Sequence, residues 1–331
     1  MTSDDVAPRV SVIIAAYNAE ETLDAQLDAL ERQTADFSFE VLVCDNGSTD
    51  GTAALTRRRM QRTPHLRLID ASARRGPGAA RNAGARAARA PFLVFCDADD
   101  VVADDWLALM HGSLSEAPFV SGTSRRPELN SRPENPTYFD WSLYRMPFFP
   151  YLAGAGAGNM GIHKAVFDEV GGFDETLRTG EDLDLCWRVQ LAGYPLIAND
   201  SAIVNVSNRT GLRATMRQGF GYGVGDKMLA YKFARVAEAY KARPPATADA
   251  APEAAGEASG SPVDGDAGTE SPGRLSRIGA LVSRVLRKFR RVPRASDFTE
   301  ITLEVATALG FRFGRIDRSV PQVEPPATLP S

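Results

Sequence analysis

The sequence predicts an α/β fold in which a mostly parallel sheet carries helices on both of its faces. Two observations predict it. Short apolar runs alternate with segments of helical spacing over the first hundred residues, which is the pattern of strand–helix–strand units. Acidic residues also follow the ends of these runs, where the parallel sheets of such folds bind their ligands.

Four strands and the helices between them account for the N-terminal part. The predicted strands are Val10–Ala16, Phe39–Cys44, Leu66–Ile69 and Phe92–Cys96. Leu23, Leu27 and Leu30 recur at helical spacing and predict the first helix. Two further helices are expected before the third and the fourth strand.

After residue 104 the alternation stops, and helices separated by irregular segments are expected. The predicted helices are Trp106–Leu114, Lys164–Val170, Asp182–Ala192, Ala214–Tyr240 and Thr299–Leu309. Four glycines are expected to interrupt Ala214–Tyr240. The stretch Ser121–Phe149 is rich in proline, arginine and aromatic residues, and it is predicted to be irregular.

The C-terminal third changes in composition. Lys241–Gly273 consists mainly of alanine, proline, glycine, serine and acidic residues, so it is predicted to be a disordered linker. Arg274–Arg291 then combines an apolar stripe with seven cations. This amphipathic helix suits the surface of an anionic membrane. It equally suits packing against the main domain or in the groove of a partner.

Composition excludes several classes of protein. The chain has 331 residues and a net charge of −4, so no nucleic-acid partner is expected. Its three cysteines show no CxxC spacing and its three histidines form no zinc pattern, which indicates free thiols in a reducing compartment. No leader or membrane span is recognisable. We therefore expect a cytoplasmic protein, with peripheral attachment to the inner face of the membrane as the further option.

The most informative segment is Pro91–Asp100, where an apolar run ends in three carboxylates. Asp97 and Asp99 are two residues apart and share a face in an extended chain. Like charges that close repel each other unless a cation lies between them, and hard divalent cations prefer oxygen ligands. The residues alone fit either a cation site or a solvated acidic turn.

Six segments together resemble the family 2 inverting nucleotide-sugar glycosyltransferases of GT-A fold. In chain order they are Val10–Asn18, Glu40–Asp50, Arg75–Gly84, Asp97–Asp100, Gly171–Glu175 and Glu181–Arg188. The resemblance implies a single Rossmann-like sheet within residues 1–240, with a nucleotide-binding half at about 1–104 and an acceptor-side half at about 105–240. Residues 274–331 would form a C-terminal helical extension and tail.

The resemblance also implies which residues contact the nucleotide sugar. They are Ala15, Tyr17, Asp45, Arg81, Asp97 and Asn159. From the residues alone, Tyr17 equally suits a core aromatic, and Asp45 and Asp50 equally suit turns or helix caps. Arg81 stands where a GxGxxG motif would have its third glycine, so a dinucleotide site is rejected.

The same resemblance implies a metal ion, Mn²⁺ or Mg²⁺, that bridges the donor phosphates. Asp99 would be its ligand, with Asp97 in support. Many relatives place a metal-binding histidine after the Glu-Asp helix, and Asn205 stands near that place here. Either the amide oxygen of Asn205 completes the metal shell, or the diphosphate and water do.

Inversion in a single displacement needs a base for the acceptor hydroxyl. The resemblance assigns that role to Asp182, with Glu181 as the alternative. Thr179 and Asp182 also have the spacing of a helix-capping pair. Asp184 and Arg188 are four residues apart and are expected to form an ion pair.

The sequence thus predicts a metal-dependent inverting glycosyltransferase that moves a sugar to a glycan, lipid-linked or other hydroxyl acceptor, in the synthesis of surface glycans, polysaccharides or glycolipids. A non-catalytic protein that binds nucleotide sugars or glycans on the same fold is the alternative. A nucleotidyltransferase is disfavoured because Ile14–Asn18 contains no glycine-rich loop.

Overall fold

The computed structural model describes residues 7–125, 140–207, 212–243 and 295–330. Its strands are β1 Val10–Ala16, β2 Phe39–Asp45, β3 Leu66–Asp70, β4 Phe92–Asp97, β5 Val101–Val102, β6 Phe119–Arg125, β7 Asp140–Trp141, β8 Tyr144–Met146, β9 Phe149–Gly154, β10 Asn159–His163 and β11 Ile197–Asn205. Its helices are α1 Leu23–Glu31, α2 Thr52–Met60, α3 Pro77–Ala87, α4 Trp106–Glu116, α5 Lys164–Glu169, α6 Glu181–Leu191, α7 Leu212–Lys232, α8 Ala234–Ala242 and α9 Ala295–Phe313.

Nine strands form one mixed sheet in the order β3-β2-β1-β4-β10-β6-β11-β5, and β7 pairs with the far end of β6. The first four are parallel to one another, as predicted. In this half the strands end together: Ala15 lies opposite both Cys44 and Asp97, and Ala16 lies opposite Asp45. The residues that follow β1, β2 and β4 therefore meet at one edge of the sheet.

Helices cover both faces of the sheet. Successive side chains of each central strand point to opposite faces, and because both sets are apolar, both faces must be buried. Ile13 packs into the core under α3 and α6, whereas Val12 and Ile14 pack into the core under α1 and α4. All three side chains are fully buried. The continuous apolar runs of β1 and β2 are thus the signature of strands that are buried on both faces.

The prediction of irregular structure over Ser121–Phe149 is partly wrong, because β6 occupies Phe119–Arg125 and β8 occupies Tyr144–Met146. The strands β10 and β11 were not predicted either. Glycine and polar residues interrupt their apolar pattern, and the sheet explains why. A Cβ atom at Gly161 of β10 would lie only 3.0 to 3.1 Å from the side chains that pack there.

Glycines were expected to interrupt the helix after Ala214, but α7 runs unbroken from Leu212 to Lys232. Three of the four glycines, Gly219, Gly223 and Gly225, lie against the backbone of another segment. A Cβ on Gly223 would lie 1.9 Å from the carbonyl oxygen of Thr307 in α9, and one on Gly225 would lie 2.7 Å from the carbonyl oxygen of Thr179. The glycines therefore serve close packing, which outweighs their low helix propensity.

The predicted helix Thr299–Leu309 is present within the longer α9. The Nζ atom of Lys227 donates a hydrogen bond to the carbonyl oxygen of Gly314, just beyond the end of α9 (2.8 Å). The predicted linker lies outside the described residues except at its start, where α8 continues to Ala242. The predicted helix Arg274–Arg291 lies outside them as well. Among the helices that the structure describes, none is both long and apolar enough to cross a membrane.

The glycine packing of α7 gives a test with a matched control. We expect Gly223→Ala to lower the free energy of unfolding by about 1–3 kcal/mol, because the new methyl group overlaps the backbone of α9. Gly112 of α4 is an exposed helical glycine with no atom within 4 Å of its missing Cβ. Gly112→Ala is expected to raise the same free energy by roughly 1 kcal/mol. Urea unfolding measures both, and equal effects would contradict the packing.

Candidate active site

The ends of β1 and β2 form one side of the candidate site. The ring of Tyr17 is half exposed, so Tyr17 is not a core aromatic, and the guanidinium of Arg75 lies 5.8 Å from the centre of that ring. Asp45 ends β2, and one of its carboxylate oxygens accepts a hydrogen bond from the backbone N–H of Ser48 (3.1 Å). An aromatic ring, a carboxylate and a guanidinium thus line this edge beside Ala15.

Asn46, which sequence reasoning missed, positions the loop that carries Arg75. Its side-chain amide donates hydrogen bonds to the carbonyl oxygens of Ala71 and Arg74, and its Oδ1 accepts one from the N–H of Gly76. The only feature of the sequence that could have indicated a role for Asn46 is its position directly after the buried strand β2. Asp50, in contrast, accepts hydrogen bonds from the N–H groups of Glu20 and Thr52. Asp50 therefore organises the turn before α2, although the N-cap residue of that helix is Gly51 and not Asp50.

Three carboxylates meet where β4 ends. One oxygen each of Asp97, Asp99 and Asp100 lie within 4.8 Å of one another. Asp100 is buried, and its Oδ1 accepts a hydrogen bond from the N–H of Ser207 (3.1 Å). The fully buried Gln26 fixes the turn by donating to the carbonyl oxygen of Asp97 and accepting from the N–H of Val102.

A missing side chain leaves room beside these acids. A Cβ on Gly158 would lie 2.7 Å from Oδ2 of Asp97 and 3.5 Å from Oδ2 of Asp100. Any other residue there would crowd the carboxylates. Oxygen ligands with open space next to them are what a hard divalent cation requires, so the residues present fit such an ion.

Arg81 joins this acid cluster to the start of α6. Its Nη2 atom donates to Oδ1 of Asp97 (2.7 Å), and its Nη1 atom donates to Oε1 of Glu181 (3.0 Å). The side chain is only 6% exposed, and its guanidinium lies 5.5 Å from the ring centre of Phe173. Burial opposes its charge, but the two carboxylates more than offset this and raise the pKa of Arg81 above its usual value. Arg81 is therefore a buried residue and not a surface charge. Its Nη1 and Nη2 atoms already donate to Glu181 and Asp97.

The helix α6 begins at Glu181, directly after Gly180 in the left-handed conformation. Thr179 does not cap it: its hydroxyl donates to the carbonyl oxygen of Gly221 in α7 (2.9 Å). The interpretation of Thr179 and Asp182 as a capping pair is thus wrong, because α7 packs so closely that its backbone takes the hydroxyl. The Oδ1 atom of Asp182 instead accepts from the N–H of Leu183.

At the start of α6 the pKa values of two neighbouring carboxyl groups, Glu181 and Asp182, are raised above those in water. Burial, and then the charge of Asp182, raise the pKa of Glu181 to about 7. Burial also raises the pKa of Asp182, although the N–H of Leu183 and the charge of Arg81 act in the opposite direction. The two neighbouring carboxyls therefore titrate as a coupled pair.

Comparisons with known proteins indicate the family to which this fold is related. Residues 11–171 match the family described as "Glycosyl transferase family 2". The chain is 30% identical over 227 residues to validoxylamine A glucosyltransferase of Streptomyces hygroscopicus subsp. limoneus, covering 57% of this chain and 49% of that protein. It is 27% identical over 236 residues to the succinoglycan biosynthesis protein ExoA of Rhizobium meliloti, covering 68% and 71%.

Residues 11–171 of this chain form a glycosyltransferase family 2 domain. Among solved structures, the mannosyltransferase PcManGT from Pyrobaculum calidifontis, in complex with GDP-Man and Mn²⁺, superposes with a TM-score of 0.59 at 20% identity, covering 94% of this chain and 89% of that one. This similarity, with the sheet described above, shows the GT-A fold. The chain spans about half of the validoxylamine A glucosyltransferase that it matches.

The side chain of Asn159 lies in the core, at 1% exposure. Its Oδ1 accepts from Nε1 of Trp106 (2.8 Å), and its amide donates to the carbonyl oxygens of Thr123 and Ala202. The expected contact of Asn159 with the donor is not supported by this placement, because the amide is already used to join β10, β6 and β11. Asn159 directly follows Gly158, the glycine that lies beside the acid cluster.

Asn205 ends β11 next to β5, the strand that follows the acid cluster. Its side-chain amide donates to the carbonyl oxygen of Val101 (3.4 Å). The pairing of Asn205 with Val101 brings Asn205 close in the fold to Asp99 and Asp100. The side-chain oxygen, rather than the donating nitrogen, is the atom that could serve a cation.

Two groups near Asp182 were not predicted from the sequence. Burial and the charge of Asp182 raise the pKa of Asp226 in α7 to about 6. Burial, and next the charge of Asp182, raise the pKa of Tyr144 in β8 well above its usual value. Both residues thus lie near enough to Asp182 to be affected by its charge. No local motif marks them, since they come from segments distant in sequence.

The raised pKa of Asp226 predicts a pH dependence. The folded protein holds this proton up to about pH 6, whereas an unfolded aspartate loses it near pH 3.8, so this group makes the fold less stable as the pH rises from about 4 to 6. Asp226→Asn should remove that part of the decline. We therefore compare the free energy of unfolding of Asp226→Asn with that of wild type at each pH. Between pH 4 and a pH above 6, this difference should shift by roughly 1 kcal/mol in favour of the variant. The shift is kept this small because the carboxyl group is partly solvated.

Urea unfolding of both proteins at pH 4, 5, 6 and 7 measures this difference. Asp168→Asn is the control, since Asp168 is an exposed partner of Lys164 on α5. A difference between Asp226→Asn and wild type that stays constant with pH would contradict the raised pKa.

Proposed function

We propose that this chain transfers a glycosyl group from a nucleotide-sugar donor to an acceptor hydroxyl, with inversion at the anomeric carbon. The observation that carries the proposal is the ion-paired chain Asp97–Arg81–Glu181, which holds the acid cluster at the sheet edge beside the acidic start of α6. The acid cluster is suited to a diphosphate with its cation. The start of α6 is suited to a general base that accepts the proton of the acceptor hydroxyl.

The donor would lie along the edge formed by β1, β2 and β4. Tyr17 and Arg75 offer a flat, partly exposed surface for the nucleobase of the donor, and Asp45 offers a hydrogen-bond acceptor at the same edge. These groups support nucleotide binding but do not choose between uridine, guanosine and thymidine. PcManGT, which shares the fold, was solved with GDP-Man and Mn²⁺.

Asp99, Asp97 and Asp100 would hold a divalent cation, with the oxygen of Asn205 nearby. When bound, such a cation supplies positive charge next to the donor diphosphate, on which negative charge builds up as the glycosidic bond breaks. The residues fit Mg²⁺ and Mn²⁺ equally, since both take carboxylate oxygens.

Asp182 would take the proton of the acceptor hydroxyl. The acceptor oxygen then forms its bond to the anomeric carbon, and the electrons of the broken bond pass to the diphosphate oxygen. Burial raises the pKa of Asp182, which makes its carboxylate a stronger base than a solvated aspartate. Glu181 is held by Arg81 and is better placed to position the helix start than to move a proton.

The acceptor class is a hydroxyl on a glycan, a lipid-linked sugar or another small molecule. Among the relatives, ExoA is named for succinoglycan biosynthesis and another protein is named as a validoxylamine A glucosyltransferase, so the names span polysaccharides and small molecules. Attachment to an anionic membrane through Arg274–Arg291 stays a prediction, because that segment lies outside the described residues.

Replacement of Asp182 tests the assignment of the base. We expect Asp182→Asn to lower the turnover number about a hundredfold or more, because the amide cannot accept the proton. The affinity for the nucleoside diphosphate with Mn²⁺ should stay within about twofold. Release of nucleoside diphosphate from a panel of nucleotide sugars and simple glycoside acceptors measures turnover, and calorimetry measures binding.

Glu181→Gln is the matched comparison, since glutamine keeps an oxygen for Arg81. If Glu181→Gln abolished turnover and Asp182→Asn did not, the base assignment would be wrong. If wild type bound nucleotide sugars but released no product with any acceptor, the chain would be a binding protein rather than an enzyme.

A further inference from the structure

The helices α7 and α9 expose apolar side chains at helical spacing. On α7 these are Leu212, Met216 and Phe220, which are four residues apart, and on α9 they are Leu309 and Phe313, also four residues apart. Phe313 is 63% exposed and Leu212 is 52% exposed. Large apolar side chains grouped this way on a surface indicate an interaction site more often than isolated ones do.

The two rows adjoin and form one surface. A Cβ on Gly310 would lie 2.1 Å from the carbonyl oxygen of Phe220, so α9 touches α7 at this point. Leu309 and Phe313 precede and follow Gly310 by one and three residues. We call the surface of Leu212, Met216, Phe220, Leu309 and Phe313 the apolar face.

Arginines outnumber acidic residues in the two stretches of chain that carry the apolar face, and the nearest acids along the chain are Glu304 and Asp317. Every ionisable residue within 212–220 and within 305–316 is an arginine, although the whole chain has a net charge of −4. These residues are Arg213, Arg217, Arg312 and Arg315, and all four are exposed. The guanidinium of Arg312 lies 5.6 Å from the ring centre of Phe313. The surface therefore combines exposed apolar groups with a local excess of positive charge.

We propose that the apolar face binds the surface of an anionic lipid bilayer. Helices that lie in the membrane interface insert apolar side chains below the headgroups while arginines contact the anionic phosphates. Repulsion between like charges disfavours two other partners for this face, the segment Arg274–Arg291 and a second copy of the chain. Arg274–Arg291 of this chain carries seven cations, and the same face of a second copy would bring arginines against arginines.

The position of α7 gives the interaction a consequence for the site. Another side of this helix contacts Thr179 through Gly221 and Gly225, next to the start of α6. The face and the acceptor side of the site thus share one rigid helix. Bilayer binding would place that side near the lipid surface, but the proposal itself does not depend on glycosyl transfer.

Vesicle co-sedimentation of the full chain tests the proposal. The vesicles are phosphatidylcholine alone or with 30% phosphatidylglycerol, at low and at high salt. We expect binding to the anionic vesicles at low salt, reduced at high salt. Met216→Ser with Phe313→Ser should lower the partition coefficient about tenfold or more, and so should Arg213→Gln with Arg217→Gln.

Two comparisons make the result specific. Arg58→Gln with Met60→Ser changes an exposed arginine and an exposed methionine on α2, and it should bind vesicles as wild type does. Replacement of Arg274, Arg277, Arg284 and Arg287 by glutamine isolates the contribution of the segment before α9. The proposal is overturned if wild type does not bind anionic vesicles, or if only this last variant loses binding. It is also overturned if the variants of the apolar face change the oligomeric state in light scattering but leave vesicle binding intact.

Discussion

The buried guanidinium of Arg81 is the interaction on which the rest of the site depends. It lies between Asp97 at the end of β4 and Glu181 at the start of α6, and it is carried by α3. A buried charge is tolerated only when it is paired, and removal of one partner leaves the other uncompensated. The ion pairs therefore fix three elements from distant parts of the chain at one point. They place the cluster of Asp97, Asp99 and Asp100 beside Asp182.

A second set of interactions holds α6 from its other side. Asp184, which is fully buried, forms the predicted ion pair with Arg188 (2.7 Å) and a further one with Lys232 of α7 (2.5 Å). Lys232 also pairs with Asp174 in the loop after Gly171 and Gly172. The helix that begins with Glu181 and Asp182 is thus tied to α7 as well as to the sheet. Its start is positioned by charges along its length rather than by a cap.

Much of the N-terminal half of the sheet could be predicted from the sequence, because its signals are local. The strand β1 matches its predicted bounds, and the acid cluster begins with Asp97, the last residue of β4. The strands β6, β10 and β11 were not predicted in the same way, since they pair with strands far away in sequence. The same reason explains Asn159, whose partners lie 36 to 53 residues away. It also explains Asp226 and Tyr144, which approach Asp182 only once α7 and β8 have packed.

The most direct test of the account is anomalous diffraction from crystals of the full chain grown with Mn²⁺ and UDP or GDP. The account predicts one Mn²⁺ peak within bonding distance of Asp99, between the protein and the two phosphates, with Arg81 still paired to Asp97 and Glu181. A nucleotide bound elsewhere, or a Mn²⁺ ion that leaves Asp97, Asp99 and Asp100 without contact, would contradict it.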